Sequence, residues 1–433
     1  MIRMLLRLLS LWVEGKNLLI NLGGQKMFKA PRDIDNLLKK HLTYREGCLN
    51  LIASENYASE KVRSYLSCDF GNRYGCYATL NPEEREYTGN KYIHEFEMAT
   101  HELVKETFKA KYVDLRPIGG HMAGMSVVLA LLNPGDLVIE VSLRDWGHGL
   151  VGPMCQVRQF DETINVEYME FDEDRAVDTE KLIKQVIERK PKLVIFGGSG
   201  TLFPEPIKEL RKVADVEGFL IAYDASHVTG LIASGMFPNP LDEGADIMFG
   251  STHKSFPGPQ GGFVASNNED FMIKVGNTLA PSLVTSHHLN RLPALATSML
   301  EMREFGVEYG KQVVKNSKAL AQALDECGFK VLGKGKGFTD SHLLLVDLGE
   351  YIDFAPAKHL EKAKILCSDD FSGNNPEVRI GTPEATRRGM KEEQMKTIAT
   401  FFKRALIDQE DPDTIARDVE EFSRQFTDIE YSF

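Results

Sequence analysis

Short apolar runs and longer amphipathic stretches alternate through the middle of the chain. Leu137–Val141 (LVIEV), Leu193–Phe196 (LVIF), Leu220–Tyr223 (LIAY), Ile247–Phe249 (IMF) and Gly261–Ala265 (GGFVA) are almost continuously apolar, the pattern of strands covered on both faces. Between them, Thr179–Arg189 (TEKLIKQVIER) and Pro206–Glu217 carry apolar residues at helical spacing. The alternation predicts an α/β fold: a mostly parallel sheet with helices on both faces, its ligands lying beyond the carboxyl ends of the strands. Helical patterns also cover Asp33–His41, Met122–Leu132 and, as one run or two, Leu289–Cys327. Leu343–Leu348 (LLLVDL) reads as a strand of a smaller α+β part that ends in helices.

These patterns divide the chain into an N-terminal extension or arm (1–32), a large domain (33–295) and a C-terminal small domain (296–433). Asn50–Tyr92 breaks the periodicity and is rich in Asn, Gly, Tyr and charge, and so long an irregular stretch predicts a segment that helps to form a site.

The length of 433 residues and 42% hydrophobic content fit a two-domain enzyme with a large core. A net charge of −12 with scattered Lys and Arg argues against a nucleic-acid partner. None of the six cysteines forms a CxxC pair, so they read as reduced thiols of a cytoplasmic protein, with neither a disulfide framework nor a metal site. Met1–Trp12 (MIRMLLRLLSLW) is apolar with interspersed arginines but too short to span a membrane. It reads as a packing arm or as an extension ahead of a start at Met27, with a targeting segment as the rival reading. No other stretch approaches a membrane span.

Four groups of residues carry chemistry. Lys254, in Ser251-Thr-His253-Lys254, follows an apolar strand and precedes Gly258-Pro-Gln-Gly-Gly262. A lysine in such a protected position loses its proton readily and forms imines, although most lysines are solvated loop residues. Asp224, in Asp224-Ala-Ser-His227, ends the preceding strand and suits the task of keeping a pyridine nitrogen protonated, with a helix N-cap as the rival role. Gly119-Gly120-His121 opens a helix and suits a phosphate. Arg379, in Arg379-Ile-Gly-Thr-Pro383, suits a two-pronged clamp on a carboxylate. Together they point to pyridoxal phosphate and an amino acid substrate.

The same residues resemble the serine hydroxymethyltransferases, pyridoxal phosphate enzymes of the aspartate aminotransferase fold type. In order, the matching segments are Ala53-Ser-Glu-Asn-Tyr57, Asn72-Arg-Tyr74, Asn133-Pro-Gly-Asp136, Asp224-Ala-Ser-His-Val228, Thr252-His-Lys254, Thr339–Leu348 and Arg379–Pro383. They span roughly residues 45 to 400. The resemblance implies that Lys254 forms the Schiff base, Asp224 pairs the pyridine nitrogen, His148 stacks on the ring and His227 lies near the cofactor oxygen. It places Gly119, Gly120, His121, Ser199, Ser251, His253 and Tyr74 around the cofactor. Arg379, Ser54 and Tyr87 fall near the substrate and Glu55 among the catalytic residues. Tyr74 and Tyr87 would reach a partner's site, which implies a homodimer.

Departures from the family pattern concentrate on one half of the site. The phosphate loop Ser-Gly-Ser reads Gly119-Gly120-His121, which leaves Ser251, Ser199 or Thr201 to supply hydroxyls. The neighbouring chain's Gln-Gly-Gly-Pro reads Val284-Thr-Ser-His287, where Thr285 and Ser286 would donate instead. Cys76 stands where the catalytic glutamate is expected, leaving Glu83 or Glu84 as substitutes, and the folate-holding Asn-Lys-Asn reads Cys367-Ser-Asp369. The expected reaction is reversible cleavage of serine to glycine, with a one-carbon unit passed to tetrahydrofolate or tetrahydromethanopterin. The alternatives are a pterin-independent aldolase or transaldolase acting on a threonine-like substrate, and a non-catalytic homologue that binds the cofactor.

Overall fold

The computed structural model describes residues 28–152, 164–351, 355–370 and 376–433; Met1–Trp12 and Cys155 lie outside them. A two-residue strand β1 (Leu49–Asn50) precedes the strands of a seven-stranded sheet: β2 (Tyr112–Asp114), β3 (Leu137–Glu140), β4 (Asn165–Tyr168), β5 (Leu193–Phe196), β6 (Leu220–Asp224), β7 (Ile247–Ser251) and β8 (Gly262–Ser266). The order is β2-β8-β7-β6-β5-β3-β4. Every pairing from β7 to β4 is parallel, and β8 runs antiparallel to both β7 and β2. The expected mostly parallel α/β sheet is present, and β8 is the one reversed strand in it.

The apolar runs became central strands because helices cover them on both sides. All four residues of β5 are buried, as are all five of β7 and of β8. Thr179–Arg189 is a helix over the predicted span, capped by the Asp178 carboxylate accepting from the Lys181 amide and burying Leu182 and Val186. The edge strands β2 and β4 have no clear sequence signal, since β4 (NVEY) has no fully buried residue.

The Leu289–Cys327 pattern is one helix, Arg291–Glu326. Its Leu292, Leu295, Met299, Tyr309 and Val313 pack into the core of the large sheet. Its Leu320, Ala321 and Leu324 pack into a second core. That second core surrounds an antiparallel sheet ordered β12-β13-β10-β9, built from β9 (Lys330–Val331), β10 (Leu343–Asp347), β12 (Ser368–Asp369) and β13 (Glu377–Gly381). β11 (Ile365–Leu366) instead pairs in parallel with β1, which brings Leu49 and Leu51 into the second core. No described helix is long and apolar enough to cross a membrane.

Candidate active site

Parallel strands bring their carboxyl ends to one edge, where the turns that follow them converge. β6 and β7 end side by side, with Asp224 opposite Phe249. Asp224 therefore closes β6, and Lys254 stands in the turn after Ser251, the last residue of β7. The turn after β3 delivers Trp146 and His148, and the turn after β5 delivers Ser199.

His148 Nδ1 lies 2.5 Å from Asp224 Oδ2, and the Ser226 amide donates to Asp224 Oδ1 at 2.9 Å. Burial by itself would raise the Asp224 carboxyl, but His148, Lys254 and the Ser226 hydroxyl hold it down at about 2. Burial pushes the Lys254 ammonium down; Asp224 pulls it partly back and Arg379 repels it, leaving it at about 8. An amine at that value keeps roughly a tenth of its population neutral at pH 7, far more than an ordinary lysine, and the neutral form is the one that imine formation needs. His253 beside it is held neutral, at about 4, by burial and by the Lys254 charge.

Three imidazoles form a ladder behind this pair. The rings of His148 and His227 are 5.5 Å apart and tilted 32°, and those of His227 and His342 are 5.5 Å apart and tilted 31°. His227 Nδ1 lies 3.3 Å from His342 Nε2, and Ser341 Oγ lies 3.0 Å from His342 Nδ1. Burial is the first reason that all three stay below the ordinary histidine range, His342 at about 3, and repulsion from Lys254 and Arg379 adds to it.

Arg379 reaches the site from the smaller, antiparallel sheet. It lies on β13, opposite Leu345 of β10 and Ser368 of β12, and is only 1% exposed. Its Nη1 donates to the Ser199 carbonyl at 3.0 Å, and its guanidinium carbon is 5.3 Å from the centre of the Trp146 ring. Burial depresses Arg379 to about 9. A buried guanidinium of this kind gains from an incoming carboxylate.

Gly119 caps the helix Gly120–Leu131. A methyl group at Gly120 would fall 2.4 Å from Ser251 Oγ and 2.6 Å from Ser226 Oγ, so only glycine fits there. Two hydroxyls beside a helix N-terminus suit a phosphate. The other two hydroxyls considered from sequence are committed elsewhere: Ser199 Oγ donates to the Trp146 carbonyl at 2.8 Å, and Thr201 Oγ1 to Glu205 at 3.2 Å. The His121 side chain is exposed. Lys254, Asp224, His148 and the Gly120 cradle thus fit pyridoxal phosphate, with an imine-forming amine, a carboxylate for the ring nitrogen, a flat ring and a phosphate niche.

The remaining sequence candidates hold other partners, and Ser54 and Glu55 stand between Ala53, which packs on Gly381, and Asn56, which reaches the Lys254 carbonyl. Glu55 pairs with Arg45 at 2.5 Å and accepts from Asn50 at 2.9 Å, while Ser54 is partly buried. Tyr74 and Tyr87 pack edge to face, centres 4.8 Å apart, on the exposed surface. Glu83 faces His94 at 3.2 Å, and Glu84 is exposed. The sequence reading gave no role to Ser226, His342, Trp146 or Asn56. His342 stands in the matched Thr339–Leu348 segment and Asn56 in Ala53–Tyr57, but contacts across more than a hundred residues of chain are not readable from spacing.

The serine hydroxymethyltransferase family model matches residues 27–402. The serine hydroxymethyltransferase of Korarchaeum cryptofilum is 41% identical over 424 residues, covering 92% of this chain and 96% of the relative. That of Methanocaldococcus jannaschii is 41% identical over 427 residues, covering 94% and 96%. Among solved structures, L-threonine transaldolase from Pseudomonas fluorescens in its internal aldimine state superposes with a TM-score of 0.85 at 29% identity, covering 93% of each chain. With a family match across most of its length and archaeal relatives at 41% identity, this chain belongs to the serine hydroxymethyltransferase family.

Proposed function

We propose that this protein is a pyridoxal phosphate-dependent hydroxymethyltransferase that cleaves serine reversibly to glycine and passes the one-carbon unit to tetrahydrofolate or tetrahydromethanopterin. The observation that carries the reading is the convergence of a lysine at about 8, a carboxylate at about 2 and a buried arginine from the smaller sheet. When bound, the cofactor supplies an electron sink for the bond that breaks at Cα. The protein's own residues do the rest. Lys254 would offer its amine, Asp224 would present a charged carboxylate to the ring nitrogen, and His148 would cover the ring. Arg379 fixes the amino acid by its carboxylate, which orients the Cα substituents. The neutral His227 is available to hold a hydrogen bond to the ring oxygen.

Two observations favour a second reading, a transaldolase or pterin-independent aldolase on a threonine-like substrate. The solved L-threonine transaldolase shares 93% of the chain's length. Cys76 also stands where a catalytic glutamate is expected. Serine cleavage measured with and without each pterin, beside threonine and allo-threonine cleavage, separates the two. Strict pterin dependence supports the first reading; pterin-independent threonine cleavage that outruns serine cleavage overturns it. A wild type that stays colourless with added cofactor would leave only the non-catalytic reading.

A homodimer with shared sites and a cytoplasmic location accompany the proposal. Helix Pro31–Glu46 buries no residue in the single chain and exposes Ile34, Leu37, Leu38 and Leu42, and the Tyr74–Tyr87 pair is exposed as well. Light scattering on the purified protein would test the dimer, and a strict monomer that is fully active would remove it.

A further inference from the structure

The Lys254 side chain does the chemistry, but the backbone beneath it is fixed by residues outside the site. Asn56 Nδ2 lies 2.9 Å from the Lys254 carbonyl, 3.2 Å from the Ser255 carbonyl and 2.8 Å from Tyr309 Oη. Tyr309 Oη donates to the Ser255 carbonyl at 2.8 Å. The count closes without a gap: the amide gives one hydrogen to Lys254 and one to Tyr309, and the phenol gives its own to Ser255. Asn56 Oδ1 accepts from the Tyr57 amide at 2.9 Å, so both ends of the amide are engaged. Tyr309 is fully buried in the long helix, and Asn56 is partly buried above it.

The strap that carries Asn56 also touches the carboxylate-binding strand. The Gly381 amide donates to the Leu51 carbonyl at 2.8 Å. A methyl group at Gly381 would lie 2.4 Å from the Ala53 Cα, so the backbones are in direct contact two residues from Arg379. Residues 51–56 therefore bridge the strand of Arg379 and the turn of Lys254.

We propose that Asn56 and Tyr309 are positioning residues that clamp the Lys254–Ser255 peptide, so that the lysine side chain alone moves when an amino acid displaces it from the cofactor. The clamp rests on the proposed function, since it supposes the cofactor on Lys254. The groups that face the lysine are Asp224 from β6, Arg379 from β13, and His148, His227, His253 and His342. A loosened turn changes the lysine's distance from all of them at once.

The test uses the full chain loaded with pyridoxal phosphate and compares wild type with Asn56→Ala and Tyr309→Phe. Stopped-flow absorbance reads how fast added glycine displaces the lysine, and a pH titration of the visible band gives its midpoint. Displacement should slow by roughly tenfold to a hundredfold in Asn56→Ala, and less in Tyr309→Phe, because a small misplacement of a reacting group is costly. The midpoint should move in both variants, with cofactor content near wild type. Wild-type displacement rate and midpoint in both variants would overturn the clamp. If Asn56→Ala does not fold, Tyr309→Phe, which keeps the ring, decides by the same readouts. A wild type without a visible band would instead remove the cofactor reading, and the clamp with it.

Discussion

Two buried polar clusters in this protein look alike in composition and differ in electrostatic state. One is the site built on Lys254, Asp224, the three histidines and Arg379. The other joins Glu97 to Arg85 in an ion pair, with Tyr77 Oη donating to Glu97 at 2.8 Å and His287 Nε2 at 3.0 Å. Beside it Arg116 binds Asp114 at 2.6 Å and the Tyr77 carbonyl at 2.9 Å. Despite burial, Arg116 and Asp114 hold each other charged, Arg116 above its ordinary range and Asp114 below. Lys254 and Arg379 are instead driven toward neutrality, to about 8 and about 9. Depression by burial is not by itself the mark of a site, since it also lowers Arg85 in the second cluster; what sets the first cluster apart is that a depressed lysine, a carboxylate and a guanidinium converge beyond the ends of parallel strands. The second cluster also fixes His287, which stands in the altered Val284–His287 segment, so that departure has a structural use.

Substitutions in the two clusters should therefore separate activity from stability. The largest effect is expected for Lys254→Ala, which should lose the visible cofactor band and at least about a thousandfold in turnover. Compared with the wild-type apo-protein, so that loss of the cofactor does not enter, its thermal midpoint should change little, since the desolvated cation that is removed offsets the partner that Asp224 loses. A marked loss of stability would erase the distinction drawn here. Next, Glu97→Leu should cost about 3–5 kcal/mol in denaturant titration, because Arg85 is left buried without its partner. An equal loss in turnover at unchanged stability would move Glu97 into the site.

Glu205 lies between the two cases. It is buried, accepts from Tyr223 Oη at 2.7 Å and from Thr201, and burial lifts its carboxyl to about 7. A folded value above the unfolded one means that its contribution to stability is complete below about 4.5 and is lost as pH rises through 7. The swing is on the order of 3 kcal/mol, and Glu205→Gln should flatten the stability profile between those limits. An unchanged profile would show that the acid is not the titrating group. The smallest effect concerns capture of the cofactor. Below about 8 the rate at which the apo-protein takes up pyridoxal phosphate should rise about tenfold per pH unit, then level off as Lys254 becomes neutral. A flat rate from pH 6 to 9 would place the lysine outside its assigned role.

Local pattern made much of the seven-stranded sheet and its helices readable. Apolar runs of four or five residues bounded by turn signals fit strands with both faces covered, and Thr179–Arg189 has its cap in Asp178 and its own buried stripe. Lys254, Asp224 and Arg379 were readable because each follows or occupies an apolar strand in a distinctive motif. β2 and β4 were not, since edge strands lack the double-sided burial that writes a signal into sequence.

The sequence by itself determined the fold class and the family and singled out Lys254, Asp224 and Arg379 as candidates, because short motifs and periodicity are local properties. Tertiary structure alone decided which hydroxyls stand beside Gly120, that His148, His227 and His342 form one ladder, and that Asn56 reaches under the lysine. Those contacts join residues as far apart as Asn56 and Tyr309, and only the crossing of strands and helices brings them within hydrogen-bond range.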